Sequence, residues 1–467
     1  MLAAIAAAGA IPRLVQLLGP DSPTNVQQEA TAALVALAAN AENADSIPRL
    51  VQLLRGGSLA DIQETAARAL VDLIRESADN AATIVSAGAI PLLVHLLTPG
   101  HAVGVQSAAA LVLMSLARIA DNAATIAAAG AIPQLVELLG PGHSAGVQAD
   151  AANAMRDLAV SADNAASIAA AGAIPLLVRM LGPGYSAGAQ EMASGALMYL
   201  TPFDVGAIAA AGAIPPLVRL LENDSAADVQ TGAAGALVCL TQSDGSEGTT
   251  IAAAGAVPLL VRMLGPDSTA WGQEFAAGAL GNLARSADNA VTIAAAGAAP
   301  LLVHLLTPGF SAGVRSRAAL ALMHLTCSDE TAATIAGAGA IPLLVHLLGP
   351  GSPERAQWSA AAALVELAEI ADHAAAIVGA GAIPLLVQML VPGSPMIAQS
   401  ATNALAIIVA HADHAPAVAS AAIPALLRLA RYCTDPATKA DAAVALRMFS
   451  NADVRAAVAA SASAHTS

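Results

Sequence analysis

The sequence is poor in aromatic residues, lysine and cysteine, and each shortage excludes a class of protein. Aromatic residues make up only 2% of the chain although 57% of its residues are hydrophobic, so Ala, Leu, Val and Ile must build the core. Lys439 is the only lysine, and no glycine-rich loop precedes it, which excludes a phosphate-binding P-loop. Cys239, Cys327 and Cys433 are odd in number and far apart, which is typical of reduced intracellular thiols and argues against a disulfide framework.

Long hydrophobic runs are missing as well. The text Gly-Ala-Ile-Pro recurs and interrupts each apolar stretch well short of the ~20 residues that a membrane-spanning helix needs. The net charge of −15 disfavours binding to nucleic acid and to anionic membrane surfaces. We therefore expect no nucleic-acid partner and no membrane association. Together with the reduced cysteines, this predicts a cytoplasmic protein, with the nucleus as an alternative.

What the sequence has in abundance is one repeated unit. Residues 88–97 read Gly-Ala-Ile-Pro-Leu-Leu-Val-His-Leu-Leu, and near-copies of this text surround eleven prolines that are 36 to 43 residues apart. The prolines are Pro12, Pro48, Pro91, Pro133, Pro175, Pro215, Pro258, Pro300, Pro342, Pro384 and Pro424. A regular period near 42 indicates a solenoid in which each unit packs only on its neighbours. We expect a single solenoid over residues 1–460 and a disordered tail over 461–467.

One repeat, residues 79–118, predicts three helices. Asp79 is expected to cap a short helix that Gly88 ends, and Pro91 suits the first turn of a second, medium helix. Val105 begins a third, longer helix, because apolar residues follow it at a spacing near 3.6. The equivalent aspartates, each predicted to cap a first helix, are Asp121, Asp163, Asp288, Asp372 and Asp413.

This pattern, with its text Gly-Ala-Ile-Pro-Leu-Leu-Val…Val-Gln…Ala-Leu…Leu-Ala…Asn, resembles the armadillo repeat over nearly the whole chain, and most closely the armadillo regions of plant and algal proteins. The resemblance implies an all-α, right-handed superhelical solenoid of about eleven three-helix repeats. It also implies a non-enzymatic protein that holds extended peptides along a concave groove lined by the third helices. The sequence offers no catalytic constellation and no ligand set for a metal, so we expect neither catalytic residues nor a cofactor.

The third helices carry polar and aromatic side chains at positions where a structural residue would be Ala or Leu. We interpret these as a groove that binds a partner, and a solvated face that binds nothing is the alternative. The candidate groove residues are Glu64, Arg68, Asp72, Asp150, Asn153, Asp157, Glu191, Tyr199, Glu274, Asn282, Arg317, His324, Trp358 and Glu366. Acidic residues toward the N-terminal half suggest a partner with basic residues.

A second set of rings falls in the turns between second and third helices. These residues are His101, His143, Tyr185 and Phe310. They predict either an edge strip that binds a partner or rings that merely stack on the neighbouring turn.

Function follows from this architecture, and three alternatives stay open. The first is a protein-interaction scaffold that binds an extended or helical segment. The second is the substrate-binding portion of a U-box-type ubiquitin ligase. The third, an importin-α-like transport adaptor, is disfavoured because only Asn282 matches that family's ladder of groove asparagines and no tryptophan matches. The apolar N-terminal end, which lacks the polar cap of a solenoid, suggests a missing domain or self-association through that end.

Overall fold

The computed structural model describes residues 10–17, 22–38, 46–56, 58–119, 121–222, 225–242, 246–326, 328–390, 394–411, 415–433 and 435–448. Within these ranges the structure is built from α-helices, with no β-strand. The chain divides into two compact units, Met1–Leu240 and Thr241–Ser467. The prediction of a single solenoid over 1–460 stays a prediction. The expected apolar end and the expected tail over 461–467 lie outside the described residues.

The first unit repeats a pattern of two short helices and one long helix. Its helices are α1 Ala10–Leu17, α2 Thr24–Ala38, α3 Ser46–Leu53, α4 Ala60–Glu76, α5 Ala78–Ser86, α6 Ala89–Leu96, α7 Val103–Ala117, α8 Asn122–Ala128, α9 Ala131–Leu138, α10 Ala145–Leu158, α11 Ala162–Ala170, α12 Ala173–Met180, α13 Ala187–Leu200, α14 Val205–Ala210, α15 Ile214–Arg219 and α16 Ala227–Leu240. The first and second helices of a repeat are nearly equal in length, nine and eight residues in α5 and α6, so the predicted medium second helix is wrong.

The second unit continues the pattern until its last repeat. Its helices are α17 Ser246–Ala253, α18 Ala256–Met263, α19 Ala270–Leu283, α20 Ala287–Ala295, α21 Ala298–Leu305, α22 Ala312–Leu325, α23 Asp329–Gly337, α24 Ala340–Leu347, α25 Glu354–Leu367, α26 Ala371–Gly379, α27 Ala382–Gln388, α28 Pro395–Ala410, α29 Ala415–Tyr432 and α30 Pro436–Met448. In the last repeat α29 runs through Pro424 as one helix, so this repeat has two helices where three were predicted.

A glycine with a left-handed backbone separates the first helix from the second. Its φ lies between 77° and 86° in eight repeats, at Gly88, Gly130, Gly172, Gly212, Gly255, Gly297, Gly339 and Gly381. Glycine adopts this conformation without the steric penalty of a Cβ atom. The chain bends by 77° to 86° between the two helices in the four repeats where the angle is known. Ala421 replaces this glycine in the last repeat, which explains why α29 continues without a bend.

No single helix in the described ranges is both long and apolar enough to cross a bilayer, although four of these bent helix pairs reach that length and composition together.

The predicted aspartate caps are wrong. The residue that caps α5 is Ser77, whose hydroxyl accepts a hydrogen bond from the backbone N–H of Asp79, and Asp79 lies in the first turn. Asp121 is at an N-cap position but makes no capping hydrogen bond there. Asp163, Asp288 and Asp372 lie in first turns like Asp79, where a carboxylate still interacts favourably with the helix dipole. Asp413 lies outside the described residues.

The asparagines that follow Asp79 and Asp121 have a larger role. The side-chain amide of Asn80 donates to the carbonyl oxygen of Leu73 at 3.0 Å, and Asn122 donates to Leu116 at 3.2 Å. Both acceptors lie in the last turn of the preceding third helix, where carbonyl groups have no partner within the helix. These asparagines therefore tie the start of their own repeats to the end of the one before.

A glutamine at the fourth position of the third helix makes the corresponding link within a repeat. Gln148, which is 4% exposed, donates its amide to the carbonyl oxygens of Leu139 at 3.2 Å and Gly140 at 2.6 Å, at the end of the second helix. The same bond to one or both equivalent carbonyls is made by Gln63, Gln106, Gln190, Gln230, Gln273 and Gln357. This amide fixes the third helix against the second.

Third helices stack side by side in each unit. In the first unit α4, α7, α10, α13 and α16 each pack against the next, and in the second unit α19, α22, α25, α28 and α30 do so. Small residues allow the close approach. A Cβ atom at Gly281 of α19 would lie 3.1 Å from the Cα atom of Ala321 in α22, so a larger residue would push these helices apart.

We predict that Gly339→Ala lowers the free energy of unfolding by about 1–2 kcal/mol, because an L-residue in the left-handed region costs about that much. Gly337→Ala is the matched control. Gly337 ends α23 with no positive φ, and a Cβ atom there would meet nothing within 4 Å, so we expect a neutral or stabilising effect. Urea unfolding followed by circular dichroism measures both variants. Equal losses would contradict the conformational role of Gly339.

A second prediction concerns the fourth-position glutamine. Gln148→Glu keeps the shape of the side chain but turns a carboxylate toward two carbonyl oxygens, so we expect a loss of about 2–3 kcal/mol of stability at pH 7. Gln134→Glu in the second helix of the same repeat is the control, because the Gln134 side chain makes no hydrogen bond within the described part of the chain. Thermal unfolding of both variants gives the comparison, and similar melting temperatures would refute the role of the amide.

Candidate functional site: the third-helix face

The candidate site in each unit is the surface of the stacked third helices that carries the predicted groove residues, named here the third-helix face. Two positions of neighbouring helices meet regularly on it. The fifth residue of one third helix lies over the second residue of the next. A Cβ atom at Gly104 would overlap the carboxylate of Glu64, and one at Gly313 would overlap the carboxylate of Glu274. These glutamates therefore lie at the N-terminal ends of α7 and α22, where the helix dipole favours negative charge.

Three of the predicted groove residues, Glu64, Arg68 and Asp150, lie close together in the first unit. Arg68 donates from Nε to Glu64 Oε1 at 3.0 Å. The hydroxyl of Ser107 donates a short hydrogen bond to Asp150 Oδ2, which joins α7 to α10. Burial raises the pKa of the Asp150 carboxyl, while the bond from Ser107 and the charge of Arg68 act in the opposite direction. The acidic groups here are already partnered within the protein.

Asp157 is the most strongly engaged of the candidates. Arg118 donates from Nε to Asp157 Oδ2 at 2.6 Å, and Arg156 donates from Nη2 to Oδ1 at 3.0 Å. The Asp157 side chain is only 11% exposed. Arg156 also packs on the next third helix, since a Cβ atom at Gly195 would lie 2.9 Å from its Cδ atom. This cluster of one carboxylate and two guanidinium groups carries a net positive charge.

Glu191 faces a like charge. It occupies the fifth position of α13, and the second position of the next third helix is Asp228 instead of glycine. Burial raises the pKa of the Glu191 carboxyl, the charge of Asp228 raises it further, and Arg156 lowers it. The remaining candidates of this unit lie elsewhere on the face. Asp72 is exposed and loosely paired with Arg75 at 3.8 Å, Tyr199 is 36% exposed, and Asn153 Oδ1 is buried without a hydrogen-bond partner.

In the second unit, Asn282 is engaged by the protein itself. Its amide donates to the hydroxyl of Thr241 at 3.1 Å, so the one residue that matches the asparagine ladder bonds to a side chain just before its own repeat. Burial lowers the pKa of His324, and the charge of Arg285 lowers it further. Trp358 is half-buried. Glu366 is exposed as a residue, but partial burial raises the pKa of its carboxyl, and the charge of Glu369 raises it further.

Two candidates, Glu274 and Arg317, line one cavity of about 250 Å³ at the N-terminal ends of α22 and α25. Ala312, Gly313, Ser316, Pro353 and Arg355 complete its wall. Sequence reasoning missed Ser316 and Arg355, although both lie at the two positions that meet between neighbouring third helices.

Trp271 was missed as well. It is 63% exposed at the second position of α19, and its ring lies 5.9 Å from that of Phe275 one turn later. Its rarity was the available signal, since the chain has only two tryptophans.

Rings of the predicted edge strip contact the second helix of their own repeat. His101 packs edge-on against His95 at 5.2 Å, and Phe310 packs in the same way against His304 at 5.3 Å. The hydroxyl of Tyr185 accepts a hydrogen bond from Arg179 Nε at 3.2 Å. His143 occupies the equivalent turn in its repeat and is half-buried. Contacts with the second helix of their own repeat thus account for three of the four rings, two by edge-on packing and one by a hydrogen bond, and the edge strip as a binding site stays a prediction.

Within the described residues, His, Cys, Asp and Glu side chains do not form a group of three or more that could hold a metal ion.

The comparisons with known proteins agree with this architecture. A family model, the armadillo/beta-catenin-like repeat, matches residues 2–39, 77–118 and 205–240. An engineered protein solved by the Northeast Structural Genomics Consortium is 31% identical, with a TM-score of 0.71, and the match covers 86% of this chain and 98% of that one. Two further engineered proteins of the consortium are 31% identical over 51% of this chain and 96% and 98% of theirs, with TM-scores of 0.47. No curated protein sequence matches.

The fold is an all-α solenoid of helical repeats, as predicted. The chain belongs to the armadillo-repeat family. Armadillo repeats generally mediate protein–protein interaction, and the family is typically non-enzymatic. The closer kinship with plant and algal armadillo regions stays a prediction.

The Glu191 environment gives a pH-dependent prediction. A carboxyl pKa that is higher in the folded than in the unfolded state destabilises the protein above that pKa, and the penalty disappears below the unfolded pKa of about 4.3. We therefore expect Glu191→Gln to raise the melting temperature at pH 7 and to have no effect near pH 3.5. Glu137→Gln, on the exposed face of α9, controls for the change in net charge. A Glu191→Gln variant less stable than wild type at pH 7 would disprove the assignment.

Proposed function

We propose that this chain is a non-enzymatic scaffold that binds an extended or helical segment of a partner protein along the third-helix face. One observation carries the proposal. Neighbouring third helices lie side by side and bring polar side chains of consecutive repeats within hydrogen-bonding distance on one surface, as Arg118 and Asp157 do at 2.6 Å. An apolar stack of helices needs no such groups for its stability. A segment that runs across several repeats would meet a row of fixed donors and acceptors, which suits recognition by many moderate contacts.

Unsatisfied polar atoms on this face support the proposal. Asn153 Oδ1 in α10 and Ser316 Oγ in α22 are buried and have no hydrogen-bond partner within the described structure. A buried polar atom without a partner costs about 1–3 kcal/mol, so Ser316, which lines a cavity, gains from a bound segment that supplies the missing bond.

The partner segment of the first unit is proposed to carry a basic residue near Glu191 and Asp228. Glu64, Asp150 and Asp157 are already paired within the protein, so they attract a cation weakly. Glu191 and Asp228 instead repel each other, and a lysine or arginine side chain between them would relieve that repulsion.

The ligase alternative assigns the same binding face to the substrate-binding portion of a larger enzyme. A search for a U-box in the longest open reading frame that encodes this chain distinguishes the two. The importin-α-like alternative is disfavoured further, because the Asn282 amide donates a hydrogen bond to the Thr241 hydroxyl, whereas that alternative requires the amide to bind a peptide backbone.

The three tyrosines of the chain provide a matched test. Tyr199 lies on the third-helix face, Tyr185 in a turn of the edge strip, and Tyr432 near the end of α29, where it is 63% exposed. The full chain is used to select 16-residue peptides from a random displayed library, and the dissociation constant of each selected peptide is measured by calorimetry. We expect the double variant Tyr199→Ala, Trp358→Ala to weaken binding at least tenfold, since aromatic side chains dominate such interfaces.

Under the proposal, Tyr185→Ala and Tyr432→Ala bind like the wild type. Binding that survives the double variant but is lost in Tyr185→Ala or Phe310→Ala would move the site to the edge strip and contradict the proposal. Failure to select any peptide would contradict it as well.

A further inference from the structure

The cavity lined by Glu274, Ser316, Arg317 and Arg355 brings two guanidinium groups and an unpartnered hydroxyl together on the third-helix face. It measures about 250 Å³ and lies where two third helices of the second unit begin. Ala312 and Gly313 are the first two residues of α22, and Pro353 and Arg355 flank the start of α25. Each helix has 14 residues. The first N–H groups of such a helix have no partner within the helix, and the helix dipole places a positive partial charge at its N-terminal end.

Two guanidinium groups add formal positive charge to the same wall. Arg317 follows one residue after Ser316 in α22, and Arg355 is exposed at the second position of α25. Arg355 makes no ion pair with any residue in the described ranges. Arginine recognises carboxylates well, because its planar group offers two parallel donors.

The hydroxyl of Ser316 is an independent sign of a missing ligand. Ser316 is only 7% exposed, it lines the cavity, and its Oγ atom has no hydrogen-bond partner. Serines buried on helices usually bond to the carbonyl four residues earlier, as Ser359 does to Arg355 in the next repeat at 2.9 Å. The Ser316 hydroxyl makes no such bond, so it is available as a donor to a group that enters the cavity.

Glu274 limits the charge that the cavity accepts. Its carboxylate already lies over Gly313 at the start of α22, so the side chains of the wall sum to two positive charges and one negative charge. A group with one negative charge would balance this sum, whereas a doubly charged phosphate would leave one negative charge unbalanced. A lysine or arginine would meet two like charges.

We infer that this cavity is a subsite for one acidic side chain, aspartate or glutamate, of a protein segment bound along the third-helix face. The inference rests on the proposed function and specifies the charge of one side chain of the partner segment. The entering carboxylate accepts hydrogen bonds from Arg317, Arg355 and the Ser316 hydroxyl.

Two peptide libraries test this inference with the full chain. Both contain random 15-residue peptides, acetylated and amidated at their ends, with glutamate fixed at the centre of one library and glutamine at the centre of the other. The quantity measured is the ratio of glutamate to glutamine peptides that the immobilised protein retains. We expect a ratio of about ten for the wild type, since a single charge-assisted bond changes affinity by roughly that factor.

Three variants then locate the selectivity. Arg355→Gln and Ser316→Ala are expected to bring the ratio close to one, and Glu274→Gln to raise it. Arg428→Gln removes another exposed positive charge, in α29 and outside the cavity, and should keep the wild-type ratio. Circular dichroism and melting temperature establish that each variant is folded.

The outcomes separate the two proposals. A ratio near one for the wild type, or a high ratio unchanged in Arg355→Gln and Ser316→Ala, overturns the acidic subsite while peptide binding and the scaffold function stand. If neither library is retained at all, the scaffold function fails and the subsite fails with it. A ratio that falls equally in Arg428→Gln would assign the selectivity to net charge and likewise overturn the subsite.

Discussion

The structure depends on one hydrogen bond that recurs in most repeats, the bond from the fourth-position glutamine of the third helix to the last carbonyls of the second. Those carbonyls have no partner within their own helix, and a side-chain amide supplies two donors from one nitrogen. In Gln148 this nitrogen contacts the carbonyl oxygens of Leu139 and Gly140 at once. Because the bond fixes where the third helix begins, consecutive third helices within each unit start in equivalent places, and their faces align into one surface of that unit. In one repeat Arg315 replaces the glutamine, and its Nε atom is buried without a partner.

Local features of the fold could be predicted from the sequence, and contacts between repeats could not. Gly88 predicts a bend because a left-handed backbone conformation favours glycine, and this preference can be read from a single residue. The period of the prolines predicts the number of units. Asn80 gave no such signal. Its amide donates to the carbonyl oxygen of Leu73 in the preceding helix. Helix-capping rules describe bonds within one helix and its flanking residues, so they do not predict this bond. Asp79, beside it, was predicted to be the cap because the sequence shows which residues are adjacent in the chain but not which residues are in contact in the fold.

The same limit applies to the candidate site. Equivalence between repeats placed residues such as Asp157 and Glu274 on the third helices, as the structure has them. What each charge faces is decided by a residue about 40 positions away, so Asp157 resembled a free acid in the sequence although Arg118 neutralises it. Ser316 was hidden for a different reason. In the sequence, a serine in an alanine-rich helix is not distinguishable from a small packing residue. Only the missing hydrogen bond of its hydroxyl, seen in the structure, distinguishes Ser316.

Two positions therefore determine the chemistry of the third-helix face, the fifth residue of one third helix and the second residue of the next. Where they are glutamate and glycine, as in Glu64 and Gly104, the carboxylate lies at a helix N-terminus, where the helix dipole favours its negative charge. Glutamate and aspartate, as in Glu191 and Asp228, give repulsion that a cation would relieve. Serine and arginine, as in Ser316 and Arg355, leave donors for an anion. The buried framework of Ala and Leu is the same in all three cases, so specificity can change by two substitutions without any change in the fold.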